Sequence, residues 1–242
     1  MANTDVDRYC MKSNIMKKVI FRVDYKGVID IKDFVKFFSD ELISPFFENY
    51  ETTFQNTFNI DLNINAMSEL LSVPINEIEK QEIHRFTGSH FMINDQTETT
   101  DSVVLDISKY FSTLEVTCLE YKNIDPYLDF FALLMSRMTE FTRFISIKRI
   151  GLRKLGSKVF YDFDEIFKTF EKKYFYFDFS EKHLFPNKIN HLDVLEKDHT
   201  SPVINYSRSF DKGTYISEDG EKDAFQITLD LDGYMEEDRL PK

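Results

Sequence analysis

The sequence DPYLDFFALLMSRMTEFTRFISIKRIGLRKL, residues 125–155, joins the clearest helix signal of the chain to a basic strand. Asp125 can cap this helix, and Pro126 suits its first turn, where no backbone donor is needed. The helix extends to about Thr142 and is apolar around most of its circumference, which is typical of a helix buried between layers. Residues 144–155 then predict a strand, so we expect a helix packed on a sheet.

On the N-terminal side, residues 18–25 alternate between apolar and polar side chains and predict a strand that ends at Gly27. Asp30 can cap a helix whose apolar side chains recur at helical spacing over 31–42, with Pro45 just beyond its end. Further strands are predicted at 54–64, 83–93, 102–108 and 112–121.

The residues beyond 160 predict a second group of elements. Asp162 or Asp164 can cap a short helix. A turn at Asp219-Gly220 separates the last two strands. The strands of this group are predicted at 174–179, 191–195, 203–210, 214–217 and 225–231.

Strands linked mainly by hairpins, with a few helices, predict an α+β protein in which antiparallel sheet packs against the helices. Each half has a helix beside several strands, which is compatible with two related halves. The predicted division is a flexible lead-in at 1–16, an N-terminal half at 17–160, a C-terminal half at 161–233 and a polar tail at 234–242.

Composition limits the classes of function. Hydrophobic residues make up 42% of the chain and charged residues 30%, as in globular proteins. The net charge of -12 disfavours general nucleic-acid binding, because phosphate backbones would be repelled. An acidic surface suits a soluble protein, a partner of a basic protein, or a mimic of nucleic-acid charge.

Localisation is predicted to be cytoplasmic. The first residues are polar and acidic, unlike a secretory signal, and the longest apolar run, 130–135, is too short to span a bilayer. Cys10 and Cys118 form neither a disulfide framework nor a metal-ligand spacing, and Cys118 is predicted to be a small core residue.

The segment 141–161 contains several basic residues and no acidic one. Arg149, Gly151 and Arg153 would share one face of a strand, and two guanidinium groups beside a glycine could bind an anion, a nucleotide or an acidic partner. The alternative is that the arginines form internal ion pairs, for which Asp230 and Asp232 are the natural partners. The sequence leaves both open.

The run Arg149-Ile150-Gly151-Leu152-Arg153, with Leu229-Asp230-Leu231-Asp232-Gly233-Tyr234 nearer the C-terminus, resembles a sporadically distributed, poorly characterised family of bacterial proteins. The likeness covers most of the chain from Val19 onward. It implies a fold in which a long helix leads into the basic strand. The family's patchy distribution implies an association with phage-defence loci or mobile elements.

Other candidate sites have simpler explanations. Asp230 and Asp232 could hold Mg²⁺ from one strand face, but no third acid or phosphate-binding loop accompanies them. Asp162 and Asp164 stand at a helix start, where capping accounts for them. The spacing of Arg85 and His90 is used by some helical ribonucleases, but here it lies in a strand pattern. The aromatic run at 174–179 could stack bases but is more typical of buried core.

No catalytic constellation, cofactor or resident metal is predicted. The sequence favours a non-enzymatic binding or interaction protein that recognises a protein partner or an anionic ligand, with Arg149, Gly151 and Arg153 as the ligand-binding candidates. Two alternatives stay open: a metal-dependent enzyme acting on nucleotides or nucleic acid, and an acidic immunity protein or nucleic-acid mimic. No membrane association is expected.

Overall fold

The computed structural model describes residues 15–27, 30–57, 79–89, 91–93, 97–99, 102–118, 124–142, 144–170, 188–217 and 220–240. The strands are β1 Met16–Gly27, β2 Asn49–Thr57, β3 Glu79–Gly88, β4 Phe91–Ile93, β5 Thr97–Thr99, β6 Ser102–Ser108, β7 Phe111–Thr117, β8 Ile145–Phe160, β9 Lys188–Leu195, β10 Val203–Ser217 and β11 Gly220–Glu236. The helices are α1 Ile31–Phe38, a π-helical turn Ser39–Ile43, α2 Asp125–Phe141, α3 Phe163–Thr169 and a 3₁₀ turn Glu237–Arg239.

Nine strands form one antiparallel sheet in the order β2-β3-β6-β7-β1-β8-β11-β10-β9, and β4 pairs with β5 separately. The basic strand β8 lies near the middle, between β1 and β11. The predicted α+β class and antiparallel pairing are confirmed, but sheet dominates the structure. Because β8 joins strands from both sides of residue 160, the two predicted halves share this sheet.

Two hydrophobic clusters line the sheet. The larger one contains apolar side chains of β1, β6 and β7 together with α1 and α2. The smaller one is formed by Phe160, Ile166, Phe210, Phe225 and Ile227, with α3 contributing Ile166. Cys118 is 5% exposed beside the larger cluster, which confirms it as a core residue.

The long helix α2 differs from its prediction in two respects. It begins at Asp125 with Ile124 at the cap position, so the aspartate lies in the first turn, where its charge complements the helix dipole. Leu128 and Leu133 are 43% and 46% exposed, so the helix is not buried between layers. It covers one face of a single sheet, and the interpretation of a fully enclosed helix was therefore wrong.

The predicted caps of the other helices are confirmed: Asp30 accepts a hydrogen bond from the backbone N–H of Asp33, and Asp162 accepts one from that of Asp164.

Several strand boundaries also differ from prediction. The strand predicted at 54–64 begins earlier, at Asn49, and is described as far as Thr57, since 58–64 lie outside the described residues. The strand predicted at 83–93 divides into Glu79–Gly88 and Phe91–Ile93. Residues 203–217 form one continuous strand, because β10 pairs with β11 along its whole length. The polar tail begins later than predicted, since β11 extends to Glu236. The predicted lead-in, except for residues 15 and 16, and the aromatic run at 174–179 lie outside the described residues.

Among the described residues, no helix has both the length and the apolar character needed to cross a bilayer.

Candidate functional site

The arginines of the basic strand are held by acids on β11. Arg153 donates from Nε and Nη2 to the two carboxylate oxygens of Asp230, at 2.9 and 2.6 Å. Arg149 Nη2 lies 3.6 Å from Asp232 Oδ2. The internal ion pairs that the sequence offered as an alternative are therefore confirmed, and the Arg153 fork is fully engaged by one carboxylate.

Arg149 is the less satisfied of the two. Its guanidinium lies 4.5 Å from the centre of the Tyr234 ring, and its Nε is buried with no hydrogen-bond partner. However, strand register places Asp24 and Glu236 directly opposite Arg149 on the neighbouring strands. An incoming anion would face these carboxylates, which makes this part of the strand electrostatically unfavourable for it.

Gly151 does not form a gap that requires glycine. A Cβ at this position would have its nearest neighbours at 3.8 Å, which is ordinary contact. The residue lies opposite Arg22 on β1 and Tyr234 on β11. Its backbone lines an apolar cleft of about 430 Å³ beneath α2, whose walls include Phe131 and Met135.

The metal hypothesis has little support in the described residues. Asp230 and Asp232 are both engaged by arginines. Within the described ranges no group of three or more His, Cys, Asp or Glu side chains is arranged to hold a metal ion. Arg85 forms a two-pronged ion pair with Asp106 at 2.8 Å, and position 90 lies outside the described residues.

A second cleft, of about 650 Å³, opens between the α1 segment and strands β2 and β3. Its floor is apolar and includes Val35, Ile43, Phe47 and Phe86, all of which are buried. We call it the His84 cleft, because that imidazole is its most buried polar group. The polar and charged side chains that line it are Lys32, Lys36, Ser39, Asp40, Ser44, Glu48, Asn49, Tyr50, Thr52, Glu82 and His84.

Local backbone features shape the His84 cleft. After Phe38, the chain continues as a π-helical turn, Ser39–Ile43, and such turns occur frequently at functional sites. The segment that follows packs tightly on β3. A Cβ on Gly88 would lie 2.5 Å from the carbonyl oxygen of Phe46, so only glycine allows this close approach. The backbone N–H of Glu48 donates to the carbonyl of Thr87 at 3.0 Å and fixes the segment there.

His84 on the cleft floor pairs with Tyr50, whose side chain is 54% exposed. The Tyr50 hydroxyl lies 2.8 Å from His84 Nδ1 and 3.0 Å from Thr52 Oγ1. The two rings stack with an interplanar angle of 14°. His84 Nε2 lies 3.7 Å from Glu82 Oε1, and the same oxygen lies 3.3 Å from Lys32 Nζ. A polar chain therefore crosses the cleft from Thr52 to Lys32.

The His84 imidazole is neutral at physiological pH. Burial lowers its pKa from the usual 6.5, Glu82 partly opposes this effect, and Lys32 adds to it. When Nδ1 accepts from Tyr50, the ring proton resides on Nε2. The cleft floor then presents a neutral N–H donor beside a carboxylate and a lysine.

The pKa of His84 predicts a pH-dependent loss of stability. Below pH 6.5 the imidazole of the unfolded chain takes up a proton that the folded protein excludes. The folded state should therefore lose stability progressively as the pH falls below 6.5, until the folded-state pKa is reached, and this group should have little effect above pH 6.5. Urea unfolding of wild type and His84→Gln at pH 7.5 and at pH 5.5 tests this. Wild type should lose more stability than the variant on acidification, and equal losses would contradict the prediction.

The lysines of α1 supply positive charge at the cleft rim. Lys32 and Lys36 stand one turn apart and both line the cleft. Lys32 is ion-paired with Glu82, whereas Lys36 forms no ion pair with any described residue. Of the lining acids, Glu48 already accepts from the Ser89 hydroxyl and Asp40 from that of Ser39.

The His84 cleft was not predicted from the sequence. No site was assigned to His84, and the strand that became β2 was predicted to begin at residue 54, after Tyr50 and Thr52. The alternation of Tyr50, Thr52 and Phe54 was the available signal, because it continues the strand pattern toward the N-terminus. No periodicity could show that β2 pairs with β3 and places Thr52 opposite His84.

No protein-family model, curated protein or solved structure matches this chain. The resemblance carried by residues 149–153 therefore stays a prediction.

Proposed function

We propose that this protein is a non-enzymatic binding protein that takes a small anionic ligand in the His84 cleft. The observation that carries the proposal is the buried, neutral His84 imidazole, bonded to the half-exposed Tyr50 hydroxyl, on the floor of a cleft lined by two lysines and three carboxylates. Concave sites with a few convergent polar groups and a residue of perturbed pKa are the usual location of ligands.

Charge and shape indicate the class of ligand. Lys36 forms no ion pair with a described residue, so its ammonium group can attract an anionic group to the rim. Lys32 can exchange its contact with Glu82 for a contact with the ligand. The apolar floor at Phe47 and Phe86 accommodates a flat or apolar body. The net charge of -12 opposes long polyanions, so a small anion is favoured over nucleic acid.

The geometry favours binding over catalysis. A hydroxyl, an imidazole and a carboxylate stand in sequence, but the 3.7 Å between His84 Nε2 and Glu82 Oε1 exceeds a hydrogen bond. The carboxylate therefore does not orient the imidazole as a nucleophile–base relay requires. The same groups are suited to bind a ligand, which would accept a hydrogen bond from His84 Nε2–H and contact the ammonium groups of the lysines.

The proposal predicts that Lys36→Ala weakens anion binding. The probes are inorganic phosphate, citrate, benzoate and adenosine monophosphate, each titrated calorimetrically into the whole chain. At least one should bind, and Lys36→Ala should reduce its affinity by roughly tenfold, the effect of losing one charge-assisted contact.

Lys197→Ala is the matched control, because Lys197 is an exposed lysine outside the cleft. Its affinity for the same probe should stay within about twofold of wild type. The proposal fails if no probe binds, or if Lys36→Ala and Lys197→Ala bind alike.

A further inference from the structure

Tyr50 presents a firmly held aromatic ring to the His84 cleft. Its hydroxyl is fixed at two points, 2.8 Å from His84 Nδ1 and 3.0 Å from Thr52 Oγ1. Phe86, directly opposite on β3, packs against the ring, with the two ring centres 5.0 Å apart. The Tyr50 side chain is still 54% exposed and lines the cleft. A ring that is held in place and exposed in a cleft is suited to contact another ring, because little of its freedom remains to be lost on binding.

The charges that line the cleft limit the net charge of a ligand. Two lysines, Lys32 and Lys36, share the lining with three carboxylates, those of Asp40, Glu48 and Glu82. The lining therefore carries one more negative charge than positive charges. A ligand with several negative charges would be repelled by these carboxylates, whereas a single anionic group can lie beside Lys36, which forms no ion pair with a described residue.

The Tyr50 ring favours a particular body and orientation of the ligand. Aromatic pairs gain free energy beyond that of apolar burial, so a planar ring is favoured over a saturated ring of the same size. The face of the Tyr50 ring is electron-rich and repels an anionic group, which is thereby directed toward Lys36. Phe47 and Phe86 continue the apolar lining of the same cleft. These features together fit an aromatic ring that bears one carboxylate.

We infer, on the basis of the proposed function, that the anion taken by the His84 cleft is an aromatic monocarboxylate. Its ring lies against the exposed side chain of Tyr50, and its carboxylate contacts Lys36. A cleft of about 650 Å³ accommodates a molecule larger than benzoate, so benzoate is the smallest probe of this class. Cyclohexanecarboxylate is its saturated counterpart, with the same charge and a ring of the same carbon number that is neither planar nor aromatic.

A comparison of these two probes isolates the contribution of the aromatic ring. In calorimetric titrations of the full chain, wild type should bind benzoate about tenfold more tightly than cyclohexanecarboxylate, the effect of one ring contact. Tyr50→Leu keeps an apolar side chain without the ring, so the two affinities should become nearly equal. Tyr50→Phe keeps the ring and its packing on Phe86, and should retain most of the preference for benzoate.

Tyr161→Leu is the matched control. Tyr161 is 57% exposed, close to the exposure of Tyr50, and lies just after β8, outside the cleft. This variant should keep the wild-type preference for benzoate, because it also removes an exposed tyrosine ring but not the one that lines the cleft.

Three results would overturn this inference: equal binding of the two probes by wild type, a preference for benzoate that survives Tyr50→Leu, or tighter binding of citrate than of benzoate. Lys36→Ala separates such a failure from failure of the proposed function. If wild type binds both probes equally and Lys36→Ala still weakens both, the cleft binds small anions without selecting an aromatic ring. If no anion binds to wild type, the proposed function and the aromatic ligand class both fail.

Discussion

Phe210→Ala is expected to lower the free energy of unfolding by about 3 to 5 kcal/mol. The Phe210 side chain is fully buried, and its ring centre lies 5.9 Å from that of Phe225 and 6.4 Å from that of Phe163. The smaller hydrophobic cluster packs its buried side chains against Phe163, Phe170, Ile189 and Leu229, so truncation of Phe210 leaves a cavity within a closely packed set of side chains. Urea unfolding followed by circular dichroism measures the change.

Ile216→Ala provides the control within the same strand. Ile216 is 75% exposed, so its truncation should change the unfolding free energy by less than about 0.5 kcal/mol. Because β8 is hydrogen-bonded to both β1 and β11, we also expect Phe210→Ala to shift one cooperative transition. A transition that splits, with only one part shifted, would show instead that the halves on either side of residue 160 unfold independently.

Asp193→Ala is expected to lower the free energy of unfolding by about 2 to 3 kcal/mol. Arg208 is only 3% exposed, and its Nη2 donates to the Asp193 carboxylate, which also lies 2.9 Å from His191 Nε2. Removal of the carboxylate leaves a buried guanidinium without this counter-charge. The loss stays below that of a fully enclosed pair because the Asp193 side chain is 33% exposed.

A double variant separates the cost of an unpaired charge from the value of the pair. Asp193→Ala combined with Arg208→Met removes both charges while keeping apolar volume at position 208. We expect it to recover at least about half of the stability lost in Asp193→Ala. A double variant as unstable as the sum of the two single variants would contradict this account of the pair.

The basic strand shows how far local sequence could predict the fold. Alternation predicted β1, β6 and β7 within a few residues, and the Asp30 and Asp162 caps were predicted correctly because capping depends on near neighbours. The ion pair of Arg153 with Asp230 was offered as an alternative and is observed. The sequence could not decide between this ion pair and a ligand site, because the ion pair depends on the pairing of β8 with β11, which joins residues distant in sequence.

The His84 cleft could not be predicted for the same reason. The Phe46 carbonyl approaches the backbone of Gly88 closely, and the Tyr50 hydroxyl contacts His84 between β2 and β3. Neither contact has a periodic signature in the sequence. The exposure of Leu128 on α2 was also missed, because an apolar circumference alone does not reveal whether one sheet or two will cover a helix.

The most direct test of the proposed function locates a bound anion by the nuclear magnetic resonance signals of histidine rings. The whole chain, labelled with ¹⁵N at histidine, is titrated with the probe that binds most tightly, and His84 is assigned by comparison with His84→Gln. We expect the His84 ring signals to shift with saturation, and the same shift in Lys36→Ala to require roughly tenfold more probe. Unchanged His84 signals, with loss of binding in Arg149→Ala instead, would place the anion on the basic strand and contradict the account.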